Sequence, residues 1–348
     1  MRGDIRRRDF LAGISAGLVG LGLGSCGSSG DKAGGQSAGS SCLMPASPRV
    51  GLVKGGDRKT IVYDALKLIE DDVSGAIRNK KVVIKPNLTR VSKKDWLASS
   101  HVDGVRAILE FLKPIYNKKV IIAEGTGLRR PIGEALESYD YYPLADEYDV
   151  EFYDLLEDDY TTLYVLDKDL KPMPILTSKL MLDPDVYLIS ASVMKTHSLA
   201  LVTLGLKNVV LAAPMNLKEH NYRGDLHQDP VRDDPRYLNY NMFMMARHVT
   251  PDLSVVDGFV GMEGEGPLFG DPVEAGVALA GTDFLAVERV GVELMGFDFQ
   301  QIGHLVYCAD AGMGEADLTK IDLLGDTISG CKKKFKPSEG WEKVIVKA

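Results

Sequence analysis

The chain has 348 residues, is 45% hydrophobic and 26% charged, and carries a formal net charge of −8 at pH 7. An acidic balance of this size argues against a basic nucleic-acid groove and against a folded surface that binds anionic membranes. Its four cysteines include no CxxC pair, which argues against a Cys-rich zinc site and against an iron–sulfur cluster held by this chain alone.

In chain order, Arg7-Arg8-Asp9-Phe10-Leu11 comes first, then an apolar, Gly-rich run from Ala12 to Gly24, then Ser25-Cys26. A basic start, a short apolar run and a small-residue exit form a secretory signal rather than folded structure. The run is shorter than the ~20 residues that span a bilayer. The paired arginines resemble a twin-arginine export signal, and Leu23-Gly24-Ser25-Cys26 resembles a lipoprotein box. Residues 1–25 are therefore expected to be a signal read by the twin-arginine translocation machinery. Lipid on Cys26 would then hold the protein to a membrane of the cell envelope. Cargo of that route usually crosses already folded, often with a cofactor in place. Residues 26–48, mostly Gly, Ser and Ala, are expected to be a flexible tether. Loss of residues 1–25, with four Arg and two Asp, would leave the chain near −10.

From Arg49 onward about 300 residues remain, enough for one large core. Val50–Val53 predicts a short strand, and Tyr63, Leu66, Ile69 and Val73 follow at helical spacing. Val82–Ile84 predicts a buried strand ending at Lys85-Pro86-Asn87. Val105, Ile108, Leu109 and Leu112 predict a helix. Val120–Ala123 is a further strand, ending at Glu124-Gly125-Thr126-Gly127. Val186–Ala191 is another, ending near Lys195-Thr196-His197, and Leu253–Asp257 is the next. Leu285–Met295 is again helical. Short apolar strands alternating with helices predict an α/β fold with a mainly parallel sheet and helices on both faces. Ligands of such sheets bind beyond the carboxyl ends of the strands.

Residues 139–180, rich in Tyr, Asp and Leu, predict a small β-rich insertion or subdomain. Residues 214–236, with three Pro and two His, lack periodicity and predict a long loop, functional or disordered. In the body of the chain, Cys308 and Cys331 are the one pair that could form a disulfide; the sequence does not decide whether they do.

Several segments could carry chemistry. Lys85 and Asn87 place an ammonium and an amide at a strand end, where they suit an anion, although a solvated loop lysine is the simpler reading of that tripeptide alone. Glu124-Gly125 opens a turn whose backbone N–H groups could face an anion or simply join a strand to a helix. Lys195-Thr196-His197, followed by Lys207-Asn208, is poor core material, because a buried ammonium is costly unless paired. His197 could be a general base, a metal ligand or a structural histidine. Lys218-Glu219-His220, with Arg223, Asp225, His227 and Asp229, is either a metal-ligating loop or a solvated one. Asp257 and Met262-Glu263-Gly264-Glu265-Gly266-Pro267 set carboxylates between glycines, a pattern suited to a hard cation or to a substrate hydroxyl. Asp283 reads as a helix N-cap, and Glu288 as a solvated residue. No GxGxxG or P-loop motif occurs.

The order Lys85-Pro86-Asn87, Glu124-Gly125, Lys195-Thr196-His197, Lys207-Asn208, Asp257, Met262–Pro267, Gly270 and Gly281-Thr282-Asp283 resembles the "domain of unknown function 362" family, over roughly Gly51 to Asp317. The resemblance implies a shared α/β fold and a shared site, and supplies no reaction. Many members carry a ferredoxin-like module with CxxCxxC runs, which this chain lacks. It also has Ser192-Val193-Met194 where the family usually has Pro-Lys-Leu, and Glu288 where the family usually has Asp.

The leading reading is an exported enzyme of a small anionic substrate. Lys195, His197, Asp257 and Glu263 would be its catalytic groups. Lys85, Asn87, Glu124, Gly125, Lys207, Asn208, Gly264, Glu265 and Gly266 would bind the ligand. A divalent metal on His220, Asp257 and Glu263, or a small anionic cofactor, would complete the site. Two other readings stand beside it: a partner of redox proteins with no cluster of its own, and a ligand-binding lipoprotein.

Overall fold

Aliphatic and β-branched runs form the strands, and side chains of alternate residues point to opposite faces. A computed structural model describes residues 47–345 except 128, 168 and 227–235, with the backbone alone at 236. The signal, Cys26, the tether up to residue 46, and His227 and Asp229 of the loop lie outside the described residues.

The strands are β1 (Arg49–Lys54), β2 (Lys81–Lys85), β3 (Val120–Glu124), β4 (Val150–Asp154), β5 (Tyr160–Leu166) and β6 (Pro172–Ser178). They continue as β7 (Val186–His197), β8 (Leu201–Thr203), β9 (Leu253–Glu263), β10 (Asp271–Val273), β11 (Val277–Gly281) and β12 (Asp322–Gly325). Ten of them make one sheet in the order β12-β1-β11-β9-β7-β2-β3-β4, with β8 added to β7 and β10 to β9. The run β9-β7-β2-β3-β4 is parallel throughout, and so is β12 on β1. Antiparallel pairing enters where β11 lies between β9 and β1, and where β8 and β10 fold back as hairpins. The sheet is thus a mostly parallel mixed one.

Its two faces build two cores. On β7, Val186 and Leu188 join one and Tyr187, Ile189 and Ala191 the other; on β2, Val83 faces the first and Val82 and Ile84 the second. The second core is covered by α1 (Arg58–Lys67), α2 (Glu70–Ile77), α3 (Val102–Leu112) and α4 (Ile132–Ser138). The first is covered by α5 (Gly205–Val210), α6 (Arg236–Ala246), α7 (Phe284–Met295) and α8 (Gly303–Asp310). Each fully buried aliphatic side chain contributes about 1.5–3 kcal/mol. The expected stripe of α3, Val105, Ile108, Leu109 and Leu112, is buried, and His101 caps the helix by accepting from the Asp103 N–H. Asp283 caps α7 through the N–H groups of Leu285 and Ala286, and Gly296, at φ +78°, ends it in the left-handed region.

The structure fills in three regions. The small β-rich insertion is the antiparallel pair β5–β6, a separate two-stranded sheet, while β4, also within residues 139–180, pairs with β3 as the edge of the main sheet. The loop at 214–236 contains a short helix, Tyr222–Leu226, and α6 begins at Arg236. Cys308 and Cys331 are both buried free thiols. Burial pushes the Cys308 thiol up to about 12, with the Glu288 carboxyl adding to the shift. No helix among the described residues is long and apolar enough to cross a membrane.

Candidate functional site

The carboxyl ends of three adjacent parallel strands, β7, β2 and β3, deliver Lys195, Lys85 and Glu124 to one place. Lys207 and Asn208 reach it from α5, Asn87 and Thr89 from the segment after β2, and Arg223 from the short helix Tyr222–Leu226. A cavity of about 120 Å³ lies among these cationic and amide side chains, with His197, Thr203, Leu211, Pro267 and Leu268 completing its wall.

The wall is held by a connected polar network. Lys85 Nζ donates to Asn208 Oδ1 at 2.7 Å and pairs with Glu124 Oε2 at 3.0 Å. Asn208 Oδ1 also accepts from Asn87 Nδ2 at 3.1 Å, while Asn208 Nδ2 donates to the Lys85 carbonyl and to Ser190 Oγ. Every polar atom of the Asn208 amide is therefore engaged, so the amide ties the end of β2 and the middle of β7, at Ser190, to α5. Glu124 is engaged too: Oε2 accepts from the Leu88 N–H at 2.7 Å and Oε1 from the Gly125 N–H at 2.8 Å. Lys195 Nζ donates to the Ala98 carbonyl at 2.6 Å and to Asn87 Oδ1 at 3.3 Å. His197 Nδ1 accepts from the Leu199 N–H at 3.0 Å, so a neutral ring carries its proton on Nε2. Arg223 donates to the carbonyls of Gly125 and Ala212.

Charge is concentrated here with little to offset it. Lys85, Lys195 and Lys207 are 3%, 2% and 7% exposed, and the carboxylate paired with this group is Glu124, at 1%. Burial removes water from each ammonium and favours its neutral form. Lys195 is pushed down to about 7, by burial first and by the charge of Lys85 second. Lys85 is lowered to about 8 by burial, against the pull of Glu124. Lys207 is held well below the ordinary lysine value by burial and by the neighbouring cations. Burial lowers Arg223 as well.

The other predicted site residues fall into different surroundings. Asp257 is buried beside Arg58, whose Nε lies 3.0 Å from Oδ2, and Arg58 stacks over the Phe259 ring. Asp257 lines a pocket of about 10 Å³ with Ser100, His101 and Ser192, on the sheet face of α1 and α3 rather than that of the lysine cavity. Burial raises the Asp257 carboxyl and lowers the His101 ring, so both move toward their neutral forms.

Glu263 and Glu265 do not line the lysine cavity. Glu263 Oε2 accepts from the Lys336 N–H at 2.8 Å, and Glu265 Oε1 from the Glu339 N–H at 2.6 Å, so both carboxylates tie down residues 336–339. Gly264 donates to the Lys336 carbonyl and accepts from Thr196 Oγ1, with φ at +73°. A Cβ on Gly266 would lie 2.1 Å from the Thr196 carbonyl oxygen, which reserves that position for glycine. Pro267 and Leu268, just beyond, are the residues of this turn that reach the cavity.

His220 is exposed, with Nε2 2.5 Å from Asp225 Oδ2 and its ring against Tyr222. Each of His220, Asp257 and Glu263 thus has its own separate partner, and the structure does not assemble them. Among the described residues no group of three His, Cys, Asp or Glu side chains is placed to hold a metal ion. Glu288 is not solvated but 1% exposed. Its Oε1 accepts from the Leu206 N–H at 2.6 Å, capping α5, which carries Lys207 and Asn208. Burial raises this carboxyl to about 8.

Sequence reasoning passes over Thr203 and Thr89 and weighs Arg223 only within a metal-ligating loop. Arg223 alone had a detectable signal, a cation in a polar segment without periodicity.

The chain is 26% identical to a thylakoid-associated protein of Synechocystis sp. over 218 residues, which cover 63% of this chain and 64% of that protein. It thus spans less than two thirds of that relative's length. A solved structure of a protein from Thermotoga maritima aligns with 64% of this chain and 57% of its own, at 15% identity and a TM-score of 0.38. The model of the family described as "Domain of unknown function (DUF362)" matches residues 82–293, a span that contains every residue of the cavity wall. This match covers more than half of the sequence, and the chain belongs to that family.

Proposed function

We propose that this chain is an enzyme acting on a small anionic substrate at the carboxyl ends of β2, β3 and β7, with Lys195 carrying the proton. The observation that carries the reading is the burial of Lys85, Lys195 and Lys207 around one cavity in which Glu124 is the paired carboxylate. Buried ammonium groups without counter-charges are strongly unfavourable, so they either lose their protons or await an anion. An anion in the cavity lets all three lysines stay charged. Lys195, near 7, exists in both protonation states at neutral pH, as a group that both gives and takes a proton must. Its contacts with Ala98 and Asn87 hold the ammonium at the wall.

The same proposal includes export and a lipid anchor on Cys26, supported by Arg7-Arg8-Asp9-Phe10-Leu11, the apolar run and Leu23-Gly24-Ser25-Cys26. The description of the Synechocystis relative as thylakoid-associated accords with attachment to a membrane.

A thermal-shift screen of small mono-, di- and trianions, followed by NMR detection of turnover for those that bind, tests the reading. Turnover that disappears in Lys195→Met while binding persists supports it. Binding with no turnover of any bound anion turns the assignment to a ligand-binding lipoprotein. Membrane fractionation of wild type and Cys26→Ser tests the anchor, and an unchanged distribution would remove it.

A further inference from the structure

Resting on the anion-binding reading above, we infer that the cavity takes a phosphoryl group, with the Lys207 ammonium and the Thr203 hydroxyl as its direct contacts. Most of the polar groups of the wall are committed elsewhere. Lys85 is held by Asn208 and Glu124, and Lys195 by Ala98 and Asn87. Arg223 reaches the Gly125 and Ala212 carbonyls. Two groups differ. No hydrogen bond or ion pair joins the Lys207 ammonium to another of the described residues, although the side chain is 7% exposed. Thr203 Oγ1 is buried with no hydrogen-bond partner among the described residues, in a residue 3% exposed that lies across the β7–β8 pair from Lys195.

A buried hydroxyl without a partner is rare enough to need a reason. Here it shares one cavity wall with the Lys207 side chain, whose ammonium likewise has no partner among the described residues. Both can donate, and the carboxylate of the network, Glu124, has both oxygens occupied by Lys85, Leu88 and Gly125. The ligand must therefore supply acceptors and negative charge. A phosphoryl group supplies three acceptor oxygens and about −1.5 to −2 charge at pH 7. A monocarboxylate supplies at most one negative charge against three lysines and an arginine. Size points the same way. About 120 Å³ encloses a compact polyatomic anion, well below the roughly 300–1,000 Å³ of sites that engulf larger ligands. Any organic remainder of the substrate would lie at the mouth, beside Pro267 and Leu268.

The test is calorimetric titration of the full chain with inorganic phosphate, glycerol phosphate, malonate and acetate. Binding of inorganic phosphate or of glycerol phosphate in preference to malonate and acetate is expected, and which of the two binds tells free phosphate from an ester. Thr203→Val should weaken that binding up to about tenfold and Thr203→Ser restore it, while Lys207→Met should weaken it by about ten- to a hundredfold. Phosphate affinity unchanged in Thr203→Val would overturn the role of Thr203. Binding of malonate or acetate without either phosphate probe would overturn the phosphoryl assignment and leave the anion-binding reading standing. Binding of none of the probes would remove both. Should Lys207→Met not fold, the Thr203→Val and Thr203→Ser pair decides alone.

Discussion

The wall of Lys85, Lys195 and Lys207 and the turn at Met262–Pro267 both gather charge near strand ends, and they satisfy it differently. In the turn, each carboxylate accepts a backbone N–H from the segment at 336–339. The chain supplies both halves of those interactions, and the turn holds residues 336–339 in place. In the lysine wall the cations outnumber the carboxylate paired with them, and Lys207 faces a cavity rather than a partner. Charge that the fold itself satisfies is structural; on the function proposed above, buried charge that it leaves unsatisfied is kept for a ligand.

Glu124 should show the largest effect. It receives Lys85, the Leu88 N–H and the Gly125 N–H. Glu124→Gln keeps the shape but removes the negative charge beside the cations, and an NH2 would replace one of the two acceptors. Breaking a buried pair from one side destabilises by about 3–5 kcal/mol. Urea unfolding should show a loss of that order, and a loss below about 1 kcal/mol would mean that the lysines are neutralised in another way.

Lys207→Met should have the opposite sign. Removing an ammonium that has no partner among the described residues, in favour of an apolar chain of similar length, is expected to stabilise the ligand-free protein by about 1–4 kcal/mol. The same variant should lose stabilisation by added phosphate. A Lys207→Met protein less stable than wild type would show that the ammonium is already satisfied and would erase the contrast with the Glu263 turn.

pH dependence separates the lysines from Glu288, with smaller changes. Lys195 sits near 7 and Lys85 near 8 in the folded protein, against an ordinary value of 10.5. Between those limits the unfolded chain binds more protons than the native one, so the stability of the ligand-free protein rises with pH from about 7 toward about 10.5. Glu288 behaves inversely. Its carboxyl is raised from 4.5 to about 8, so the native state keeps a proton that the unfolded state has lost, and stability falls as pH rises across that window. Thermal melts from pH 5 to 10 should therefore lose the falling limb in Glu288→Gln and weaken the rising limb in Lys195→Met. Added phosphate should flatten the rising limb, because the anion keeps the lysines protonated in the folded state. If phosphate binds and that limb is unchanged, the lysines are not its partners.

Much of the fold is legible in the sequence because the two sheet faces leave a direct trace: Val82, Val83 and Ile84, or Ile121 and Ile122, cannot rest on water. The carboxyl-end rule then brings Lys85, Lys195, His197, Lys207 and Asn208 together on sequence grounds, and the structure sets all five in one cavity wall. Less legible are features that depend on a distant partner. Strand β7 runs six residues beyond Ala191, to His197, because pairing with β8 and β9 continues after the apolar run ends. Glu288 looks solvated until the N-terminus of α5 is placed against it. Thr203, the last residue of a three-residue strand, carries no local pattern at all. Glu263 and Glu265 resemble ligand groups because their partners are backbone N–H groups more than 70 residues away, which residue types cannot reveal.

Glu263→Ala gives the smallest change and the sharpest control. Glu263 is partly exposed, and its carboxylate accepts from the N–H of Lys336. Losing one such bond, with water free to take its place, should destabilise by about 1 kcal/mol. Phosphate affinity should stay at the wild-type value, since neither Glu263 nor the segment it holds lines the cavity. The turn does reach the cavity through Pro267 and Leu268, three and four residues beyond Gly264, and that connection is what the variant probes. If Glu263→Ala weakens phosphate binding as much as Thr203→Val does, the turn positions the wall and its carboxylates serve the ligand indirectly. If affinity holds while stability falls, the acidic turn is a fastening, and the functional charge of this protein is the positive charge on the other side of the cavity.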